Sequence, residues 1–226
     1  MLKRSQINEI IKESIDFIQA QGFQLPPFAK WTTLDWENKG VEYDNLRQAG
    51  LGWDVADYGL DDFAKIGIVA LTIRLGSIPT LGYEKPYAEK LLVLQPDQEV
   101  PLHFHPNKIE DLINRGTTDC YICFYRAKAD GSLDEQPVTI LMDGCIKTVA
   151  AGQKIVLKPG ESVTLLPKQY HKIWAGREKV LLGEVTMVNN DHHFFDVSPS
   201  ATIIEEDVQP EYYLVNEYPQ PTNTVK

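Results

Sequence analysis

Pro101-Leu102-His103-Phe104-His105-Pro106-Asn107-Lys108-Ile109-Glu110 is the stretch around which the chain is best read. In an extended segment side chains alternate faces, so His103 and His105 point one way and Leu102 and Phe104 the other. Pro106 and Asn107 then punctuate the chain as a turn does. Glu110, at the head of a returning apolar run with Leu112 and Ile113, folds back beside the imidazoles. Two neutral imidazoles and a carboxylate on one face suit a borderline divalent cation such as manganese, iron, cobalt, nickel or zinc. The plainer reading of His-x-His is a polar strand face with two surface histidines. His171 answers the group from the second half of the chain.

Outward from that stretch, composition sets bounds. The chain has 226 residues, 22 basic against 32 acidic, for a formal net charge of −10. That balance argues against nucleic acid or an anionic membrane as a partner, since both need clustered Lys and Arg. The first twenty residues lack the continuous apolar core of a signal peptide. No apolar run approaches the ~18 residues a membrane span needs. Cys120, Cys123 and Cys145 are an odd number, which fits a reducing compartment, and the cytoplasm is the expected location. Cys120 and Cys123 have CxxC spacing, but in a β-like run they face opposite sides.

Residues 5–21 read as an amphipathic helix, with Ile7, Ile10, Ile11, Ile15 and Ile18 at helical spacing, Ser5 as N-cap and Gly22 past the end. Pro26-Pro27 makes an extended segment. A short helix over 33–38 follows, capped by Thr32 or Thr33, and the aromatic-rich stretch from Gly40 to Gly59 reads as ordered loop. Asp61–Lys65 adds a helical turn. From Ile68 onward short β-branched and aromatic runs alternate with Gly, Pro and Asp, the pattern of an antiparallel sandwich or barrel. EYYLVNEYP, late in the chain, reads as a last strand. The expected organisation is one structural unit, a helical and loop extension over 1–66 packed on a β-barrel over 67–226.

Lys158-Pro159-Gly160 through Leu166-Pro167-Lys168 to His171 is a turn, a strand, a second turn and a histidine opening a new strand. With HxH and Glu110 it resembles the paired sequence motifs of the cupins. His103, His105 and Glu110 keep the HxH-x4-E spacing, and Gly160 to His171 keeps the second motif's glycine-to-histidine distance. Asp97 replaces the opening glycine, Gly116 comes a residue early, Pro167 a residue late, and Lys168 stands in the inner glycine's place. The resemblance implies an all-β cupin barrel, or jelly roll, with His103, His105, Glu110 and His171 as metal ligands. The wider chain, in SQINEIIKESIDFI, GFQLPPFAKW, HFHPNKIEDLINRG, GEVTMVNND and IEED, resembles the bacterial D-lyxose isomerases. That likeness implies a manganese-dependent interconversion of D-lyxose and D-xylulose, with D-mannose and D-fructose as a weaker pair, by a homodimer. Co2+, Fe2+, Ni2+ or Zn2+ are the other ions such a site could take.

For that chemistry, four protein ligands on a six-coordinate ion leave two positions for O1 and O2 of an open-chain sugar. A carboxylate then moves a proton between C2 and C1 through an enediol, or a hydride shifts instead. Lys108, two residues before Glu110, could neutralise oxyanion charge, or be an exposed turn lysine. Glu184, in an otherwise apolar strand, points either into the barrel or toward a structural partner, and Lys90 is similar. From the likeness, one carboxylate of the IEED run reaches the pocket, and Glu205 is the expected base. Asp191, Phe194 and Asp196 follow the Glu184 strand as a pocket mouth. His192 and His193 are left out, since neighbours on a strand face opposite ways. Trp31 and Phe28 wall the pocket or pack the N-terminal arm; Arg115 pairs with a site acid or a neighbouring strand. The expected partner is a free pentose or hexose. An Fe(II) cupin dioxygenase would share the ligands but not need the lysines and carboxylates. A phosphosugar isomerase would need a basic cluster, and a non-catalytic sugar-binding cupin commonly lacks a ligand.

Overall fold

The computed structural model describes residues 1–76, 85–187, 194–195 and 200–220, with the backbone alone for the pair 194–195. The strands and helices in chain order are β1 (Leu2–Lys3), α1 (Arg4–Ala20), α2 (Thr33–Trp36), α3 (Asp44–Gln48), β2 (Gly52–Ala56), β3 (Ile68–Arg74), β4 (Tyr87–Leu94) and β5 (Glu99–Phe104). Then come β6 (Glu110–Asn114), β7 (Cys120–Ala127), β8 (Leu133–Asp134), β9 (Val138–Met142), β10 (Cys145–Val149), β11 (Ile155–Leu157) and β12 (Ser162–Leu165). The last are β13 (Gln169–Ala175), β14 (Val180–Met187), β15 (Phe194–Phe195) and β16 (Ile204–Glu205).

An eight-stranded sheet runs β10-β9-β12-β6-β14-β4-β3-β2 and a six-stranded sheet runs β11-β7-β13-β5-β15, with β8 beside β7. Neighbours in both are antiparallel. The two curl into the barrel that the run of short strands predicts. Leu92, Leu94, Leu112, Ile122, Phe124, Ile140, Val163, Ile173 and Leu182 fill the space between them. A second core lies outside the large sheet, where Ile7, Ile11, Ile15 and Ile18 of α1 pack with Leu71, Leu91, Val93 and Leu181. Strand β4 thus buries Leu91 and Val93 on one face and Leu92 and Leu94 on the other. That explains why its sequence is a continuous apolar run rather than an alternation. Cys120 lies in the inner core, where burial pushes its thiol up to about 12, and all three thiols are free.

Helix α1 ends at Gly22 as its sequence predicts. Gly22 takes φ +82°, its N–H donates to Gln19 O at 2.9 Å and the Phe23 N–H to Ile18 O at 3.3 Å, a Schellman closure. The start differs. Lys3 is the cap residue, because Leu2–Lys3 is tied in parallel register to Ile204–Glu205 and feeds the helix one residue early. Ser5 instead donates its N–H and hydroxyl to Asp207, at 2.9 and 2.7 Å. Thr32 caps α2 in a capping box with Asp35. Two expectations need correction. The Gly40–Gly59 stretch carries α3 and β2, and β2 is an edge strand of the large sheet, so the extension contributes to the barrel itself. The late EYYLVNEYP run is no regular strand; Leu214 makes a single bridge to Trp53, with Tyr212 and Leu214 buried against the outer core.

The departures from the glycine pattern have a shared physical answer. Asp97 and Lys168 both adopt positive φ, +58° and +61°, each preceded by proline in a four-residue turn. In Gln95–Gln98 the last N–H donates to the first carbonyl at 3.1 Å, while the Gln98 side chain accepts the Gln95 N–H at 2.9 Å. Leu166–Gln169 repeats both bonds at 3.1 Å, and Lys158–Glu161 does the same around Gly160 with 2.9 and 2.8 Å. Proline presets the second position and a closing Gln or Glu locks the turn, so a non-glycine residue is tolerated in the third.

Left-handed backbone costs a non-glycine residue roughly 1–2 kcal/mol, and glycine returns part of that gain through its freer unfolded chain. Lys168 is exposed, so Lys168→Gly is expected to stabilise the protein by about 0.5–1 kcal/mol in denaturant titration; a loss would show that the Lys168 side chain makes a contact of its own.

Candidate active site

The three histidines come from the small sheet and the glutamate from the large one. His103 on β5 stands opposite His171 on β13, whose register shifts between His171 and Ile173, the kind of irregularity that re-aims side chains. His105 follows β5 directly, and Glu110 opens β6. Ring centroids lie 4.2 Å apart for His103 and His171, and 5.1 Å for His103 and His105. One nitrogen from each ring lies within 4.8 Å of the others. Glu110 Oε1 sits 3.4 Å from His105 Nε2 and 3.6 Å from His171 Nε2. All four residues are buried.

Local bonding sets the tautomers. His103 Nδ1 lies 2.7 Å from the Pro101 carbonyl and His171 Nδ1 3.1 Å from that of Gln169. A carbonyl only accepts, so each Nδ1 carries the proton and each Nε2 offers a lone pair. Burial, and behind it the neighbouring imidazoles, holds His103 well below the usual histidine range. Burial also brings His171 down to about 4, against the opposing pull of Glu110. Burial alone would raise the Glu110 carboxyl; the hydrogen bond from His105 and the charge of Lys108 outweigh it and hold the carboxyl well below its ordinary value. Neutral imidazoles and an ionised carboxylate converging in this way fit a divalent metal ion.

Beside this cluster lies a row of charges. Across adjacent strands Thr72 faces Lys90 and Lys90 faces Glu184, all on the inner side of the large sheet. Lys90 Nζ is 3.1 Å from Glu184 Oε1. Lys108 is buried, with Nζ 2.7 Å from Glu110 Oε2 and 3.6 Å from Glu184 Oε1. A cavity of about 680 Å³ opens over the cluster, lined by these groups and by Asp54, Tyr58, Thr202 and Asn216.

Residues 2–218 match the family model described as D-lyxose isomerase. The chain belongs to the D-lyxose isomerase family. It is 38% identical to the D-lyxose/D-mannose isomerase of Serratia proteamaculans, over 96% of this chain and 98% of that one. The protein of the same description from Escherichia coli O157:H7 is 36% identical, over 97% and 99%. Among solved structures, an L-ribose isomerase mutant of Acinetobacter sp. DL28 in complex with L-ribose superposes with a TM-score of 0.61 at 11% identity, covering 90% of this chain and 98% of that one. The ligand-free L-ribose isomerase of Cellulomonas parahominis gives 0.59 at 13%, with the same coverage. These likenesses establish the cupin barrel as the fold of this family member.

Of the residues singled out from the sequence, His103, His105, Glu110, His171, Lys108, Glu184 and Lys90 share the one cavity. Glu205 is not brought to it. Strand β16 sends Ile204 toward the cavity and leaves Glu205 exposed, opposite Lys3. Trp31 packs in the arm, edge-on to Phe28, Trp36 and Tyr43, and does not line the cavity. Asp191 and Asp196 lie outside the described residues, as do His192 and His193. Phe194 is described by its backbone, which pairs with Phe104. Arg115 lies against Gly183 of the neighbouring strand.

Asp54 and Tyr58 were not among the sequence candidates. Asp54 opens onto the cavity yet is ringed by protein, and that crowding pushes its carboxyl up. The apolar-polar-apolar alternation of Trp53-Asp54-Val55 is the signal that could have found it.

In the metal-free protein, the depressed His171 means that the unfolded chain binds more protons between about pH 6.5 and 4. Stability is therefore lost as pH falls through that window, by about 3 kcal/mol for His171 alone. His171→Gln is expected to flatten the slope of denaturant midpoint against pH; an unchanged slope would show that His171 is not the group titrating.

Proposed function

We propose that this chain is a D-lyxose ketol-isomerase interconverting D-lyxose and D-xylulose, and less readily D-mannose and D-fructose, with Mn2+ held by His103, His105, Glu110 and His171. The observation that carries the reading is Glu184, a buried carboxylate between Lys90 and Lys108 in the same cavity as that ligand cluster. Family membership and the D-lyxose/D-mannose isomerase relatives support it.

When bound, the cation supplies Lewis-acid polarisation of the sugar carbonyl. Glu184 is the group that takes the proton from C2 of the open-chain aldose and returns it to C1, through an enediol. Lys108 touches both Glu110 and Glu184, so its ammonium offers charge to the oxyanion that develops as the proton leaves. Lys90 holds the Glu184 carboxylate in place from the adjoining strand. The apolar walls, Ile68, Leu92, Val100 and Ile173 among them, keep bulk water from the reacting carbons. The working protein is proposed to be a cytoplasmic homodimer. Three free thiols suit a reducing compartment, and no helix among the described residues is long and apolar enough to cross a membrane.

Manganese-loaded protein given D-lyxose in deuterated water is expected to yield D-xylulose with deuterium at C1. Glu184→Gln should lower kcat by about 10²–10⁴ with manganese content unchanged, whereas His103→Ala should lose the metal. If wild type converts none of lyxose, mannose or xylulose and His103→Ala behaves identically, the reading fails. Product without deuterium together with an active Glu184→Gln would replace the proton transfer by a hydride shift.

A further inference from the structure

Asp57-Tyr58-Gly59-Leu60 is a tight turn closed by the Leu60 N–H donating to Asp57 O at 3.0 Å. Both central residues have positive φ, +56° at Tyr58 and +72° at Gly59. That is the pattern of a type I′ turn, which favours Asn-Gly or Asp-Gly because both central positions are left-handed. Glycine fills the second place here, but an aromatic residue fills the first, where it is a rare outlier. Such strain persists only where the surroundings impose it, and it clusters at functional sites.

The surroundings do impose it. The Asp57 N–H donates to Thr202 Oγ1 at 2.9 Å, and the Ser200 N–H donates to the Tyr58 carbonyl at 3.0 Å. The Gly59 N–H donates to Asp57 Oδ1 at 2.9 Å, and a Cβ at Gly59 would collide with the Ser200 hydroxyl. Ser200 and Thr202 themselves line the cavity, so the turn is pinned to the cavity's own wall. The ring of Tyr58 rests on the inner core and also lines the cavity.

Its place in the cavity wall is next to Asp54, and the charge of Glu184 reaches it. Glu110 lies on β6, Glu184 on β14, Lys90 on β4, Thr72 on β3 and Asp54 on β2, successive strands of one sheet. The Tyr58 turn follows β2, so it adds a phenol to the cavity wall beside the carboxylates of Asp54 and Glu184.

We propose that Tyr58 is a substrate-binding residue, held in a strained turn so that its phenol engages a hydroxyl of the open-chain sugar. The inference rests on the isomerase reading above. Burial first, then the carboxylates of Asp54 and Glu184, pushes the phenol up from its ordinary value, which keeps it protonated as a donor at neutral pH. An O–H with an acceptor oxygen behind it matches the donor-and-acceptor character of a sugar hydroxyl.

Tyr58→Phe keeps the ring and the backbone demand and removes the hydroxyl alone. With manganese-loaded protein and D-lyxose, KM is expected to rise about three- to ten-fold while kcat stays within about two-fold, the signature of lost uniform binding. Manganese content and Tm should match the wild type. An unchanged KM overturns the proposal while leaving the isomerase standing, and so does a parallel fall in kcat, manganese content and Tm, which would make the phenol structural. A wild type that converts no sugar removes the isomerase reading and this inference with it.

Discussion

Everything in the cavity follows from the cost of burying charge. Glu110, Glu184 and Lys108 are nearly inaccessible to water, and an unpaired ion in such a place is strongly destabilising. The chain answers by alternation, with Lys108 between the two carboxylates and Lys90 on the far side of Glu184. Those four charges sum to zero, and burial holds His103 and His171 neutral. Those four side chains are thus balanced among themselves before any ligand enters. Under the proposed function, charge that develops on the sugar is met by groups already oriented, with no solvent to rearrange.

The origin of those groups matters as much as their charges. The histidines belong to one sheet and Glu110 to the other, so a shared ligand would tie the two curled sheets together at one end of the barrel. The apolar contacts between the sheets do the same along the rest of their length. The outer core under α1 has a different task, covering the face of β3, β4 and β14 that the barrel leaves uncovered.

The grouping of His103, His105 and Glu110 was legible in the sequence because its geometry is local, while His171 came in only through the second motif. Two residues apart on a strand means one face, and Glu110 needs only the turn at Pro106. Glu184 and Lys90 were legible because each is a charge inside an apolar run, and such a charge must face something. Glu205 was misread because the direction of a two-residue strand is set by its partner, and β1 lies at the other end of the chain. Strand β2 was missed because glycine and aromatics resemble loop until β3 is there to pair with. Asp97 and Lys168 stood out only as departures from the glycine pattern; the closing glutamine, three residues after each turn begins, carries the compensation and lies outside that pattern.

Arg4 is buried at the start of α1, where its guanidinium bonds Glu206 and Glu217, while Asn8 accepts the Glu211 N–H at 2.9 Å. Ile204 stands just before those acids and Leu214, Val215 and Asn216 run between them, and all four line the cavity. Helix α1 is therefore the mooring for a wall segment roughly 200 residues further along the chain. Until residues 204–217 have been synthesised, the strands that hold the histidines can pair, but the chamber over them lacks that part of its wall. Closure of the chamber thus depends on contacts between residues 202 and 213 positions apart, the kind that form slowly.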